Sequence, residues 1–326
     1  MTGLSESGLS ESGLPEPGPP EPGLWVQAAG LLTTVQDLGR FGGLRYGISV
    51  CGALEGDHLR LVGAAVGNAV DAAALELSGG PVRLELWQPT WACWLGQGPS
   101  SLESGRPERV THFETTGRGI LALAGGIAVP KVQGSRATDL RAGFGGLEGR
   151  ALRRGDFLRL GPPPPDPVST SPRWRLSPLR LEGAVRVVRG PEWNLLSLET
   201  QRNLEQIIFR VSAQSNRMGL RLESQLLETH FPGEMRSSAV LPGTVQLPPG
   251  GRLIVLLQDA GTVGGYPRIL SVAAVDLPRL AVMAVGSEFR VQLISSEAAV
   301  LALLEREKEL RTLLWSIALR RSQGTG

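Results

Sequence analysis

The sequence predicts a mainly β protein built as two strand-rich halves, with few short helices and one long helix near the C-terminus. Three observations predict it. Gly (43) and Pro (24) make up about a fifth of the 326 residues, well above the roughly 12% of an average chain. Chains punctuated in this way build many short strands joined by tight turns. Val82, Leu84 and Leu86 alternate with Arg83 and Glu85, and Phe289, Val291 and Leu293 repeat the alternation, which is the period of a half-buried strand. Sustained helical spacing of apolar residues appears only near the end of the chain.

Taken in order, residues 1–23 carry a degenerate pentapeptide. It begins Gly3-Leu4-Ser5-Glu6-Ser7 and recurs at Gly8, Gly13 and Gly18. Its acidic Gly/Pro/Ser composition cannot offset the entropy of ordering, so a disordered tail is expected. Order begins near Leu24, and an N-terminal half is expected over 24–160. Strands are expected at Leu31–Val35, around Leu84, at Ile120–Ala124 and at Phe157–Leu160, with a short helix over about 57–67. The run Gly161-Pro162-Pro163-Pro164-Pro165-Asp166-Pro167 forces an extended spacer, so 161–178 reads as a linker. A C-terminal half follows over 179–295, with strands at Val185–Val188, Ile208–Val211 and Leu253–Leu257 and a helix over about 195–206. Residues 296–326 form a helix and tail, where Val300, Leu303, Leu304, Leu310, Leu313, Leu314 and Ile317 mark a packing face. Two β-barrels or two β-sandwiches satisfy this pattern equally.

Composition and motif content exclude several function classes. The 33 basic and 31 acidic side chains are interleaved and the net charge is +2, whereas a nucleic-acid binder concentrates its basic excess. No apolar run reaches the ~18 residues of a membrane helix, and no secretion signal precedes the first half. A cytoplasmic protein with Cys51 and Cys93 reduced is expected. P-loop and dinucleotide glycine motifs are absent. His58, His112 and His230 stand isolated, so no metal site is expected.

Four glycine-punctuated polar segments remain. They are Thr33–Arg40, the stretch from Gly125-Gly126 through Gly134–Arg141 to Gly145-Gly146, Ser212–Arg221, and Gln258–Pro267. Each offers hydroxyls, a carboxylate or guanidinium, and glycines that let backbone approach a ligand. Arginine beside Ser/Thr and exposed N–H groups suits a carboxylate or phosphate. Each segment by itself fits a turn braced by an ion pair at least as well.

Together and in this order, the segments resemble one family. The blocks are Thr34-Val35-Gln36-Asp37-Leu38-Gly39-Arg40, Val66-Gly67-Asn68, Ala74-Leu75-Glu76, Gly134-Ser135-Arg136 with Thr138-Asp139-Leu140, Gly149-Arg150 and Gly155-Asp156. The second half adds Arg189-Gly190-Pro191, Ser215-Asn216-Arg217-Met218-Gly219, Gly264-Gly265-Tyr266-Pro267 and Asp276-Leu277. They resemble the C-type subunits of 5-oxoprolinase, a family also called the allophanate hydrolase subunit 2 or urea amidolyase-related domain, over about residues 25–300. The resemblance implies a cyclophilin-like β-barrel architecture. It also implies one component of an ATP-dependent lactam hydrolase, inactive alone, that converts 5-oxo-L-proline to L-glutamate. The implied partners are an A-type subunit of the same enzyme and a B-type one related to allophanate hydrolase subunit 1. ATP would serve as a co-substrate, with Mg as an option alongside it, at a site open to sharing with a partner.

The chain departs from the family pattern in places. Gly52-Ala53-Leu54-Glu55 stands for Gly-Ala-Met-Asp, Val62 and Gly63 replace Ala-Asn, and Gly261-Thr262-Val263 replaces Gln-Thr-Thr. Two alternatives stay open. One is a biotin-dependent carboxyltransferase component; neither Lys131 nor Lys308 has the methionine flanks of a biotin carrier. The other is a non-catalytic regulatory partner of a kinase-inhibitor-type protein. Resemblance and side-chain chemistry together nominate Asp37, Arg40, Arg217 and Asp259 as catalytic. They nominate Glu55, Ser135, Arg136, Thr138, Arg141, Gly264, Gly265 and Tyr266 for binding substrate or nucleotide. On this reading Arg217→Ala abolishes activity and leaves folding intact.

Overall fold

The computed structural model describes residues 22–164, 174–177, 183–229 and 235–323. Almost all of the expected tail, much of the expected linker and His230 lie outside the described residues. The first sheet has seven strands: β1 (Gly23–Ala29), β2 (Thr33–Gln36), β3 (Ala74–Ser78), β4 (Val82–Gln97), β5 (Pro107–Thr115), β6 (Arg118–Leu123) and β7 (Phe157–Arg159). Its hydrogen-bonded order is β2-β3-β6-β4-β1-β7, with β5 paired to β4. The helix α1 (Gly56–Ala65) lies between β2 and β3 in the chain.

The alternation that marked β4 is realised as expected, with Val82, Leu84 and Leu86 buried and Arg83 and Glu85 exposed. The β4–β5 register shifts between Glu85 and Thr90. Pro89 sits in that gap and has no N–H to give the ladder. Beyond it β4 is apolar on both faces. Trp94 joins Phe113 and Leu121 in one core, while Cys93 and Leu95 join Ile120 and α1 in another. Two-sided burial explains why the 91–96 and 120–124 runs are continuous and do not alternate.

The second half contains β8 (Val185–Arg189), β9 (Phe209–Val211), β10 (Gly219–Glu223), β11 (Ser238–Ala239), β12 (Thr244–Gln246), β13 (Ile254–Leu256), β14 (Val263–Gly264), β15 (Arg268–Val272), β16 (Glu288–Phe289) and β17 (Val291–Leu293). Eight of them form one sheet in the order β16-β9-β10-β13-β12-β15-β8-β17, and β11 pairs with β14. This sheet encloses its own core around Val187, Phe209, Leu220, Val255 and Leu270. The architecture is mainly β, as the sequence predicted, with a half-barrel and a near-barrel carrying few helices.

Local differences have local causes. The strand expected from Leu31 begins at Thr33, because Gly30 turns the chain at a φ of +66° and leaves Leu31 81% exposed. The single helix expected over 195–206 is instead a 3₁₀ turn, the helix α2 (Leu198–Asn203) and a second 3₁₀ turn. Ser197 caps α2 by accepting from Thr200 N at 3.1 Å, which sets a new helix start inside the run. A further helix, α3 (Leu277–Ala281), was not expected; Pro278 stands in its first turn. Residues 174–177, inside the expected spacer, pack on the first half. Leu176 is buried and its N–H donates to Gly105 O at 2.7 Å.

The long helix α4 (Ser296–Gln323) packs on α1 through Leu310, Leu314 and Ile317. Val300, Leu303, Leu304 and Leu313, also expected on the packing face, are exposed. The α1–α4 contact is closed by ion pairs, Arg60 with Glu307 at 2.8 Å and Arg306 with Asp57 at 3.0 Å. Hydrogen bonds from Arg60, and then from Arg311, hold the Glu307 carboxyl down to about 2. Its folded value lies below its unfolded one, so its contribution is complete above the ordinary carboxylate range and is lost as pH falls through about 2. Amide exchange of α4 is expected to accelerate relative to the sheets as pH drops from 5 toward 2. Glu307→Gln is expected to flatten that response, and an unchanged response would refute the assignment.

Candidate functional site between the two halves

The β3 and β6 side of the first sheet faces β9, β10 and the end of α3 of the second half. Between them lies a cavity of about 270 Å³, whose polar lining includes Glu55, Glu76, Arg118, Asn216 and Arg217. Leu54, Ile120 and Leu220 are among its apolar walls. Leu54 also packs against the core of the second half, so the seam is partly apolar.

Arg217 closes the floor of this seam. Its Nε and Nη2 donate to Asp259 Oδ2 and Oδ1 at 2.8 and 3.0 Å. Nη1 donates to Glu76 Oε1, and Nη2 also donates to Gly52 O at 2.7 Å. Glu76 in turn accepts from Leu54 N at 2.7 Å through its other oxygen. Arg217 and Asp259 belong to the second half, Glu76 and Gly52 to the first, and all three side chains are buried. Burial pushes the Glu76 carboxyl above its usual range, against the opposing pull of the guanidinium. Burial also works against the charge on Arg217, but Glu76 and Asp259 outweigh it and hold the guanidinium protonated. The structure therefore brings Arg217 and Asp259 together, as an inter-half brace whose donors are engaged. Removing the guanidinium leaves Glu76 and Asp259 buried without it, so Arg217→Ala is expected to cost stability, in contrast to the intact folding expected from the sequence.

The Asp37 cluster is a second brace. Asp37 Oδ1 accepts from Gly39 N at 2.9 Å and Ser135 Oγ at 2.6 Å, and Oδ2 accepts from Arg136 N at 2.5 Å. Thr138 Oγ1 donates to Val35 O at 2.9 Å. Arg40 lies over the Phe144 ring at 4.7 Å and donates to Val132 O at 3.3 Å and to Ala137 O. These bonds pin the 132–144 loop onto the 35–40 turn. The anion-binding wall expected from Ser135, Arg136, Thr138 and Arg141 is thus largely turned inward on the protein itself.

Arg141 is exposed, and its Nη1 would stand 3.2 Å from a Cβ at position 261. The family departure at Gly261 makes room for this guanidinium. Gly264 packs on Gln246, Gly265 lies beside Ser237, and Tyr266 is 43% exposed. None of the three lines the cavity. Cys51 sits at the seam, its N–H donating to Gln258 O at 2.9 Å. Burial, then Asp259 and Asp139, push its thiol far above the ordinary range, so it stays neutral.

Glu55, the departure from the family aspartate, does line the cavity. It occupies the N-cap position of α1 and stands 2.8 Å from His58 Nδ1. Two further charged residues line the cavity without having been site candidates, Glu76 and Arg118. Glu76 carried a signal, a carboxylate between Leu75 and Leu77 in an apolar strand. Arg118 carried none, since an arginine after Gly117 reads as a strand end.

The fold and seam define a class, a two-subdomain carboxyltransferase-type module. Residues 46–293 match the family model described as carboxyltransferase domain, subdomain A and B. The chain is 36% identical over 303 residues to the C-type subunit of 5-oxoprolinase from Escherichia coli (strain K12), covering 89% of this chain and 97% of that protein. Its counterpart from Haemophilus influenzae, also a C-type subunit of 5-oxoprolinase, is 34% identical, with 85% and 92% covered. The crystal structure of the K. lactis urea amidolyase shares the fold at a TM-score of 0.80 and 24% identity, over 90% of this chain and 20% of that one. The chain belongs to the family of 5-oxoprolinase C-type subunits, within the carboxyltransferase-domain proteins.

Proposed function

We propose that this chain is the C-type subunit of an ATP-dependent 5-oxoprolinase, opening the lactam of 5-oxo-L-proline to L-glutamate together with A-type and B-type partners. The observation that carries the reading is the inter-half cavity. At about 270 Å³ it lies just below the roughly 300 Å³ at which drug-sized ligand sites begin, the scale of a small ring. Its mixture of apolar wall and a few polar groups suits a five-membered ring. Its residues do not fit a nucleotide, because the triphosphate would meet one uncommitted guanidinium, that of Arg118. On this reading ATP binds on a partner or at a site shared across an interface with one. Extensive identity to two C-type proteins of this enzyme supports the same activity.

Within the cavity, Glu55 is the carboxylate placed to take a proton from water attacking the ring carbonyl carbon. As the carbon–nitrogen bond breaks, the proton held by Glu55 passes to the ring nitrogen, which leaves as the amine of glutamate. His58, in the first turn of α1, brings its Nδ1 to 2.8 Å from the Glu55 carboxylate. The test is glutamate release by the A-type and B-type partners with and without this chain. Release only with the chain supports the reading, and a stable complex that releases none sinks it. In the active complex, Glu55→Gln is expected to lower kcat roughly a hundredfold or more with a much smaller change in Tm; an unchanged kcat would remove Glu55 from the chemistry.

One observation favours a second reading, the description of the matched family model. Carboxyl transfer from a biotinylated carrier protein is its test, and none is expected.

A further inference from the structure

We propose that Arg118 is a specificity-determining residue of this cavity, recognising the carboxylate of a small cyclic acid. The inference rests on the 5-oxoprolinase reading and names the group that selects its substrate.

Position is the first argument. Arg118 opens β6, where it pairs with Ser78 of β3 on one side and Gln97 of β4 on the other. The next residue, Gly119, lies so close to β4 that a Cβ there would come within 2.4 Å of Gly96 Cα. The backbone that carries Arg118 is therefore held between two strands, at the rim of the cavity it lines. The guanidinium thus extends from a backbone fixed by the sheet and not by a loop.

Charge is the second argument. Four charged side chains line the cavity: Glu55, Glu76, Arg118 and Arg217. Arg217 is engaged by Glu76, Asp259 and Gly52. Glu55 faces His58. Arg118 has no carboxylate within ion-pair distance among the described residues. Its Nη1 makes one long hydrogen bond, 3.5 Å, to Val282 O across the cavity. An exposed guanidinium facing a small cavity with one weak carbonyl contact has its planar fork free for a carboxylate, which accepts two parallel N–H bonds. The apolar neighbours Ile120 and Leu220 suit the methylenes of a ring. Glu55 discourages a second negative group on the same ligand, so the favoured ligand is a monocarboxylate with an uncharged ring.

A simple strut between the halves is the competing role, and the test separates the two. The complex reconstituted from this chain and its A-type and B-type partners is assayed with 5-oxo-L-proline, and with its primary carboxamide as substrate or competitive inhibitor. Arg118→Met is expected to raise KM for the acid about tenfold to a hundredfold. Binding of the carboxamide is expected to stay within about twofold, so that preference for the acid disappears. Arg118→Lys, which keeps the charge but not the fork, is expected to fall between; it also serves if the methionine variant does not fold. Equal weakening toward acid and carboxamide, or an unchanged KM for the acid, overturns the proposal and leaves the strut. A wild-type complex that releases no glutamate overturns the 5-oxoprolinase reading and this inference with it, whereas an active wild type with an indifferent Arg118→Met overturns the inference alone.

Discussion

Arg217→Met is expected to destabilise the protein by about 3–5 kcal/mol, enough to leave much of it insoluble at 37 °C. The substitution removes the guanidinium and leaves Glu76 and Asp259 buried, with relative exposures of 7% and 2%. A desolvated carboxylate without its partner must ionise at high cost or take up a proton. Both carboxylates face the same loss, because Arg217 bonds them simultaneously. The effect is also one of connectivity. Glu76 and Gly52 come from the first half, Asp259 from the second, so the halves lose a shared centre as well as an ion pair. Arg217→Lys is expected to recover only part of the loss, since a single ammonium cannot reproduce the two-pronged bond to Asp259. Neutralising what is left behind should help more. Arg217→Met combined with Glu76→Gln and Asp259→Asn is expected to regain more than half of the lost stability, read as the midpoint of urea unfolding. A fully soluble, normally stable Arg217→Met would show that the brace does not hold the halves together.

Asp37→Ala is expected to cost about 3–5 kcal/mol and to loosen one loop selectively. Asp37 is buried and accepts from Gly39 N, Ser135 Oγ and Arg136 N. Hydrogen bonds to a charged acceptor contribute roughly 1.5–3 kcal/mol each, and orphaned buried donors carry a desolvation penalty. The hydroxyl of Ser135 also accepts from Ala137 N at 3.0 Å, so disorder introduced at Asp37 passes along the loop. Faster amide exchange is expected over 132–144, with the β8–β15 pair in the second half unaffected. Asp37→Asn should lie between wild type and Asp37→Ala, because one carbonyl oxygen remains to accept. Uniformly faster exchange throughout the molecule would mean that Asp37 supports the whole half and not this loop.

Arg217 and Asp37, nominated as catalytic from the sequence, both have their polar atoms engaged by the protein itself, and the motif blocks that carried the family resemblance behave alike. Asn68 donates to Leu123 O and accepts from Gly125 N, both at 2.8 Å, clamping the end of β6. Arg150 forks onto Asp156 at 2.7 and 2.9 Å. A polar residue that must satisfy buried backbone is as tightly constrained as one that touches substrate, so motif blocks locate the framework as readily as the chemistry.

What the sequence by itself determined is local and periodic. Alternation placed β4 and the β16–β17 region, glycine and proline punctuation placed the turns, and helical spacing placed α4. These features follow from side-chain direction along a backbone, which neighbours in sequence define. The tertiary structure alone decided which charges are engaged. Arg217 and Arg118 are equally arginines in the chain; one is enclosed by two carboxylates from opposite halves, the other faces a cavity with a single carbonyl contact. That difference depends on which strand edges meet across the seam. Glu76 meets Arg217 over 141 residues of sequence, and no local pattern encodes a contact of that range.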